Sequence, residues 1–581
     1  MPAITLRLPV RSALKVAYAL LALLFLATIS FGIFYLCSGF SHLVSWYFSL
    51  NSCFYNSTTW AQKFFTPAIK SDGNMYSAIA IAVSLFGLYY LIRKRPFINT
   101  NVPASITVCI KPLDAVLSLV LVATAFALWL YGFRHAAVGY DEVFSAQNAA
   151  GIHPFQAVSY YMLPNNHVFF NLLNDVFFHW VNDKVVTGRI ISLLAYEGVI
   201  ISLFYWLRRI TRNSWFAFFA SAVLCFQWLT WGFAYQARGY ELYLLAEWGM
   251  LISFLAYIQA QRRRWLYINV LCSIVGYFTI PSFLYFHLTQ LLFAAVYFIA
   301  RRKGGVAFWK SQLAIILLTF LCYAPLLCFS GIDAIIKNGY VSPWKHHEAN
   351  FWDWMTDYLI RYFNHLFSIT KYYGSKKIYW FFLIPFPALF AWRRNRLVFF
   401  TACFYVLSWV VFFLLTLQMV HVPFERNLIG NYSLTIMACL LMIYWVFGLL
   451  PRNVLGRSLQ FLTVAASLAI CIHGTIHKYD VLLEDRLYEF PVNEVHADVQ
   501  HKLLDSIPKG NTVGFYYEDF YCRYICFENG YNTTNPNCPT GTENYFVKRD
   551  FEPFPSAAKY QLVGHANEYE IYKKIADTTT H

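Results

Sequence analysis

Charge is what this sequence has least of: 13% of its 581 residues are Asp, Glu, Lys or Arg, where a soluble domain averages about 25%. That scarcity excludes most soluble classes. Acidic side chains are rarer still, 30 against 45 Lys and Arg, and a net charge of +15 in a soluble chain would point to nucleic acid. The distribution removes that reading: the tail from Lys478 carries 10 basic and 16 acidic residues, so the whole excess lies upstream. No P-loop, GxSxG, HExxH or dinucleotide fingerprint stands in a convincing context, and no solenoid or transporter-type repeat is present. Templates for soluble enzymes do not apply.

What the chain has in abundance is apolar and aromatic surface, 58% hydrophobic residues and 20% Phe, Trp and Tyr. Apolar runs of ~17–21 residues, each able to cross a hydrocarbon core of ~30 Å, recur about thirteen times, from Leu14 to Phe34, with Trp215 to Trp231 as the fifth and Ile378 to Trp392 as the tenth, through to Ser458 to Ile476. Every second connection is short and basic, as at Arg93, Lys94 and Arg95, at Arg208, Arg209 and Arg212, and at Arg262, Arg263 and Arg264. By the positive-inside rule these face the cytoplasm. An odd number of spans starting inside leaves the C-terminal segment outside, which is where the composition turns soluble. The first span has no A-x-A-like cleavage site behind it and reads as a retained anchor. Asp114, at the membrane edge, is the only acidic residue in a cytoplasmic connection. Acid–base chemistry is therefore expected on the outer face.

The expected architecture is an all-α polytopic membrane protein with a small C-terminal α/β domain. Residues 1–114 supply two N-terminal spans, 115–477 form a core with outer loops 132–189 and 328–377, and 478–581 form the outer domain. The first loop should hold two interfacial helices, one starting at Asp141 and one from about Val168 to Trp180 with an apolar face of Phe169, Leu172, Leu173, Val176 and Phe177. In the tail, Glu494 to Ile507 has helical periodicity, Thr512 to Tyr517 reads as a strand, and Gln561 to Lys573 reads as two strands around Asn567-Glu568. Cys522, Cys526 and Cys538 would face an oxidising compartment, so one disulfide among them is expected with its connectivity open.

Four outer-edge features can carry chemistry. Asp141 and Glu142 directly follow the third span; they are either a helix start stabilised by its macrodipole or a general base at the lipid–water boundary. His167 follows in the same loop, which ends at Arg189, and each has a plain alternative as a helix cap or a snorkelling cation. The turn Gln236-Ala237-Arg238-Gly239-Tyr240-Glu241 and the segment Glu425-Arg426-Asn427 place Arg238 and Arg426 outside, against the positive-inside trend. Arginine suits bidentate phosphate contacts, while an ion pair with Glu241 or Glu425 is the plainer reading. Glu197 and Glu247 fall inside spans, where a hydrogen-bonded protonated acid suffices. His346, His347 and His421 offer no metal-ligand spacing.

An outer Asp-Glu pair opening the first large loop, a His-containing aromatic and Leu stretch leading to an Arg, then a Gln-Ala-Arg-x-Tyr turn, resembles the GT-C superfamily of polytopic glycosyltransferases. The likeness is greatest to the aminoarabinose transferase and protein mannosyltransferase group and its bacterial relatives. Two departures stand out: the acidic pair follows the third span rather than the first, and Asn166-His167-Val168-Phe169-Phe170 replaces a His-Pro-Pro-Leu-Tyr-Tyr pattern. The resemblance implies inverting transfer of a sugar from a polyprenyl-phosphate donor to a glycan, lipid or protein acceptor of the cell envelope. Asp141 would be the base with Glu142 sharing or orienting, Arg426, Arg238 and Arg189 would bind the donor phosphate, and His167 and Tyr240 would position acceptor or sugar. A monophosphate leaving group requires no metal cofactor, and no nucleic-acid partner is implied. The expected location is a bacterial inner membrane, N-terminus cytoplasmic and tail periplasmic. A lipid-linked sugar flippase and an inactive envelope-assembly protein are the competing readings; outer-edge rather than midplane acids favour the enzyme.

Overall fold

The computed structural model describes residues 4–50, 65–94, 106–336 and 395–448 with short gaps, scattered residues of 342–356 and 458–476, and most of 493–575. Among these, nine helices are long and apolar enough to cross a membrane. The expected span Ile378 to Trp392 lies outside the described residues, and Ser458 to Ile476 is described only in pieces.

The chain opens with a short strand β1 (Ile4–Leu8), followed by α1 (Val10–Cys37), the short α2 (Phe40–Ser49) and α3 (Pro67–Lys94). Strand β2 (Ile106–Ile110) then pairs antiparallel with β1, Ile4 opposite Ile110. This ribbon ties the first residues to the connection before the core and has no periodic signal in the sequence long enough to announce it. Next come α4 (Pro112–His135), the short α5 (Pro154–Ser159), α6 (Val168–Val181), α7 (Lys184–Thr211), α8 (Ser214–Cys225) and α9 (Trp228–Ala234). The bundle continues through α10 (Tyr240–Ala260), α11 (Arg264–Thr279), α12 (Phe283–Arg301), α13 (Gly305–Phe329), α14 (Arg396–Met419) and α15 (Ile429–Phe447).

Side-chain caps start several of these helices: Asp183 accepts from the Val186 amide, Asn213 from Phe216 and Gln227 from Thr230, each satisfying an amide that a helix start leaves open. At the opposite ends, α7, α10 and α12 close on left-handed residues, Arg212, Gln261 and Arg302. The fifth expected span, Trp215 to Trp231, is instead two short helices, α8 and α9, broken around Gln227.

Burial separates a hub from a rim. In α10, 78% of the apolar window is buried, against 22% in α1 and α3, which turn Leu20, Leu23 and Phe86 outward as a bilayer-facing surface requires. Helix α10 packs on α7, α11, α12 and α15. Polar locks fix these contacts: Trp248 donates from its indole N–H to Ser433 on α15, and Gly430 lies so close to the Glu247 carboxyl that a Cβ there would overlap it. Lys70 of α3 ties the N-terminal helices to each other, its Nζ donating to the Tyr35 carbonyl of α1 at 2.8 Å, and the Tyr35 hydroxyl ties them to α13 by donating to the carbonyl of Cys328 at 2.7 Å.

In the C-terminal region, α16 (Asn493–Ser506) accompanies a five-stranded sheet of β3 (Thr512–Phe515), β4 (Asn532–Thr534), β5 (Tyr545–Arg549), β6 (Tyr560–Ala566) and β7 (Tyr569–Lys574). The strand order is β4-β3-β5-β7-β6; β3 runs parallel to both its neighbours, and β7 antiparallel to both of its own. Val499, Leu503 and Ile507 cover Val513, Phe515 and Ile571. Cys522 and Cys526 are buried in this core, while Cys538 lies outside the described residues.

Candidate active site

Five parts of the chain meet at one end of the bundle: residues 138–139, 141–142 and 145–146 after α4, His167 before α6, Arg189 on the first turns of α7, the turn 236–239 before α10, and Arg426 in the 3-10 turn that leads into α15. At the other end lie Lys111, Arg208, Arg209, Arg262 and Arg301, at starts or finishes of the same helices. There Arg208 Nε meets Asp114 at 3.2 Å, so this carboxylate is neutralised by a basic residue of α7.

The adjacent acids have opposite fates. Glu142 is 1% exposed and accepts four hydrogen bonds: Arg189 Nε and Nη2 at 3.0 and 3.1 Å, the Ala237 amide at 2.6 Å and the Gly139 amide at 2.7 Å. This fork-to-fork pair, 3% exposed on the arginine side, joins the loop, α7 and the 236–239 turn through one carboxylate. The turn can settle onto α7 because Gly188 has no Cβ; one built there would stand 2.7 Å from the Ala237 Cβ. Ser192 completes the clamp by donating to the carbonyls of Gln236 and Arg238.

Asp141, one residue earlier, keeps a 30% exposed side chain. Arg426 donates to its Oδ2 at 2.8 Å and Arg238 Nη2 stands 3.6 Å from the same oxygen. Arg238 is 1% exposed; its Nη1 donates to the Asp141 carbonyl at 3.0 Å and to Ser145 Oγ at 2.8 Å. Arg426 is 36% exposed at the side chain and forms the outer lip. The Tyr240 ring lies beneath both guanidiniums, 5.6 Å from Arg238 and 5.9 Å from Arg426, with the His167 ring edge-on at 4.8 Å. Such distances favour cation–π attraction. His167 accepts the Gly239 amide on Nδ1 at 2.8 Å, an approach that the missing Cβ of Gly239 permits. Burial first, then the charges of Arg238 and Arg426, push its pKa well below the ordinary histidine range, so the ring is neutral.

The structure thus brings Asp141, Glu142, His167, Arg189, Arg238, Tyr240 and Arg426 into one cluster. Among the described residues, the cluster sets three guanidiniums beside two carboxylates and a neutral histidine. Glu241 is not the partner of Arg238: it is fully buried on the first turn of α10, and neither carboxyl oxygen has a hydrogen-bond partner among the described residues. Glu247 packs against Gly430, away from the cluster. His346 and His347 lie outside the described residues. No group of three metal-ligating side chains occurs among those described. Sequence reading missed Ser145 and Ser192; Ser145 stands four residues after Asp141, the helical spacing that returns a side chain to the same face. Helix α6 carries Phe169, Leu172 and Phe177 half-buried and Val176 and Trp180 exposed, while Asn171, Asn174 and Asp175 face inward. Phe169 and Leu172 pack against the cluster of Tyr161, Val168 and Phe278, so only the Val176 and Trp180 part of the apolar side is left outward.

Among solved structures, the chain is similar to ArnT from Cupriavidus metallidurans bound to undecaprenyl phosphate, at 13% identity over 80% of this chain and 99% of that one, with a TM-score of 0.52. Weaker likenesses, at TM-scores of 0.41 and 0.43, are to the arabinosyltransferase EmbB from Mycobacterium smegmatis (11% identity; 72% of this chain, 45% of that one) and the archaeal oligosaccharyltransferase AglB from Archaeoglobus fulgidus (10% identity; 76% and 70%). No family model and no curated protein matches the chain. The chain thus shares the fold of that ArnT structure, and the nine long apolar helices among its described residues make it an integral membrane protein.

Proposed function

We propose that the protein is an inverting glycosyltransferase that moves a sugar from a polyprenyl-phosphate donor to an acceptor on the outer face of a bacterial inner membrane. The observation that carries this reading is the half-open Asp141 set between Arg238 and Arg426 at the end of the bundle opposite the basic turns. Undecaprenyl phosphate, present in the ArnT structure of the same fold, is a ligand of the chemistry that paired guanidiniums bind.

In the reaction, an acceptor hydroxyl oxygen attacks the anomeric carbon from the face opposite the phosphate. Its proton passes to an Asp141 carboxylate oxygen, the new C–O bond forms, and the bond from the anomeric carbon to phosphate oxygen breaks with its electron pair staying on the phosphate. Arg426 and Arg238 neutralise that developing charge. Arrival of the donor phosphate draws Arg426 toward it, which releases Asp141 Oδ2 for the acceptor. Arginine alone balances a monophosphate, so this scheme contains no metal.

Glu142 and Arg189 take a different part from Asp141. Their bond set is closed, and they hold the loop and the 236–239 turn at the spacing that places Asp141 against Arg238. Tyr240, 2% exposed, supports the arginines from below rather than offering a face to sugar. The test supplies purified protein in lipid with labelled polyprenyl-phosphate sugars and cell-envelope acceptors. Transfer by the wild type and its loss in Asp141→Asn is expected; full activity in that variant rejects Asp141 as the base, and transport without a covalent product rejects the enzyme.

A further inference from the structure

His167 is 3% exposed and sits at the centre of the cluster. Its Nδ1 is committed as an acceptor, because a backbone amide, that of Gly239, can only donate. A neutral imidazole whose Nδ1 accepts must carry its proton on Nε2. Yet Nε2 faces Arg238 Nη2 at 3.4 Å, and a guanidinium has no lone pair to offer. Two donors therefore confront each other in a buried site. Among the described residues no carboxylate or carbonyl oxygen accepts from Nε2–H. An acceptor oxygen within reach of Nε2 would satisfy this donor, and beside two guanidiniums an anionic oxygen is favoured.

Building on the function proposed above, we propose that His167 is a binding residue for the donor phosphate, in which Nε2–H donates to a phosphate oxygen shared with Arg238 Nη2. The proton stays on Nε2 throughout, so the residue contributes a dipole rather than a charge. Three properties follow from the geometry. The Gly239 amide fixes the tautomer, Tyr240 fixes the ring plane from its edge, and the two nearby arginines keep the ring from taking a second proton. A protonated histidine would instead add a third cation beside Arg238 and Arg426 and lose the Gly239 bond.

Side-chain amides separate the two nitrogens. In His167→Gln the amide N–H reaches the position of Nε2 and keeps the donor; in His167→Asn the amide oxygen replaces Nδ1 as acceptor for Gly239 but no donor reaches outward. The probe is undecaprenyl phosphate, titrated against purified wild type, both variants and Arg426→Ala in lipid nanodiscs. Because a hydrogen bond to a charged group is worth enough to move an equilibrium about tenfold or more, His167→Asn should bind at least about tenfold more weakly than wild type while His167→Gln stays within about threefold. Equal binding by wild type and His167→Asn overturns the inference, as do equal losses in both variants or a loss confined to His167→Gln. Failure of wild-type protein to bind the lipid phosphate overturns the donor reading itself, and unchanged binding by Arg426→Ala removes Arg426 from the phosphate site while leaving the histidine result to stand alone.

Discussion

Asp141 and Glu142 are neighbours in sequence and nearly identical in chemistry, yet one carboxylate is 30% exposed between two arginines and the other 1% exposed under four donors. Successive residues on a helical turn point about 100° apart, so adjacency in the chain guarantees different surroundings. The comparison shows how a buried ion pair and an open one divide the work. The closed pair fixes where three chain segments meet, and the open one is left able to exchange partners.

Four outcomes would break or sharpen that contrast. The largest is in turnover: Asp141→Asn should lower it by about 10²–10⁴-fold, the usual range for a general base, with the thermal midpoint little changed. A variant that unfolds as readily as it loses activity would erase the distinction between the two acids. Next, Glu142→Gln strands the buried Arg189 charge and should destabilise the protein by about 3–5 kcal/mol, the range for breaking one side of such a pair. Unfolding in mild detergent reads this directly, and activity should fall only as folded protein is lost. A smaller effect is expected at Tyr240→Leu, which removes two cation–π contacts of about 0.5–1 kcal/mol each; KM for the lipid donor should rise several-fold with kcat less affected, and a pure kcat effect would place the ring on the sugar instead.

The smallest prediction concerns pH. The native-state pKa of His167 is depressed, so above its ordinary value of about 6.5 both folded and unfolded chains hold it neutral and it contributes nothing to pH dependence. As pH falls below that value, the unfolded chain binds a proton the native ring refuses, and stability declines by up to about 1.4 kcal/mol per pH unit until the native pKa is reached. Thermal midpoints recorded from about pH 7.5 down to 5.5 should therefore fall less in His167→Asn than in wild type. An equal slope in the two proteins would mean that the ring is protonated in the native state.

Much of the fold was legible because the bilayer dictates it. Apolar runs long enough to cross, and basic turns at alternate ends, leave little freedom in where helices begin and end, and the described helices follow them closely. The exceptions have local causes. Gln227 breaks the expected fifth span by capping α9 through Thr230. The β1–β2 ribbon pairs five residues with five across a separation of about a hundred, a contact no short window can register. In the C-terminal sheet, β4 and β5 went unread: β4 is three polar residues, Asn532–Thr534, and β5 is nearly all buried, so neither alternates. The site residues were legible by type and depth, through acids and arginines on the wrong side of the charge pattern. Their partners were not: the sequence left an Arg238–Glu241 pair open as one of two readings, and the structure sets Arg238 beside Asp141 instead.

The sequence alone determined that this is a membrane protein, which end of each helix is basic, and which few charged residues break that order; hydrophobic length and charge asymmetry are additive properties, readable without knowing any contact. Tertiary structure decided which carboxylate is closed and which open, which arginines share Asp141, and which nitrogen of His167 carries the proton. Those outcomes depend on distances between segments far apart in the chain, set by Gly188 and Gly239 allowing backbones to approach, and no sum over residues contains them.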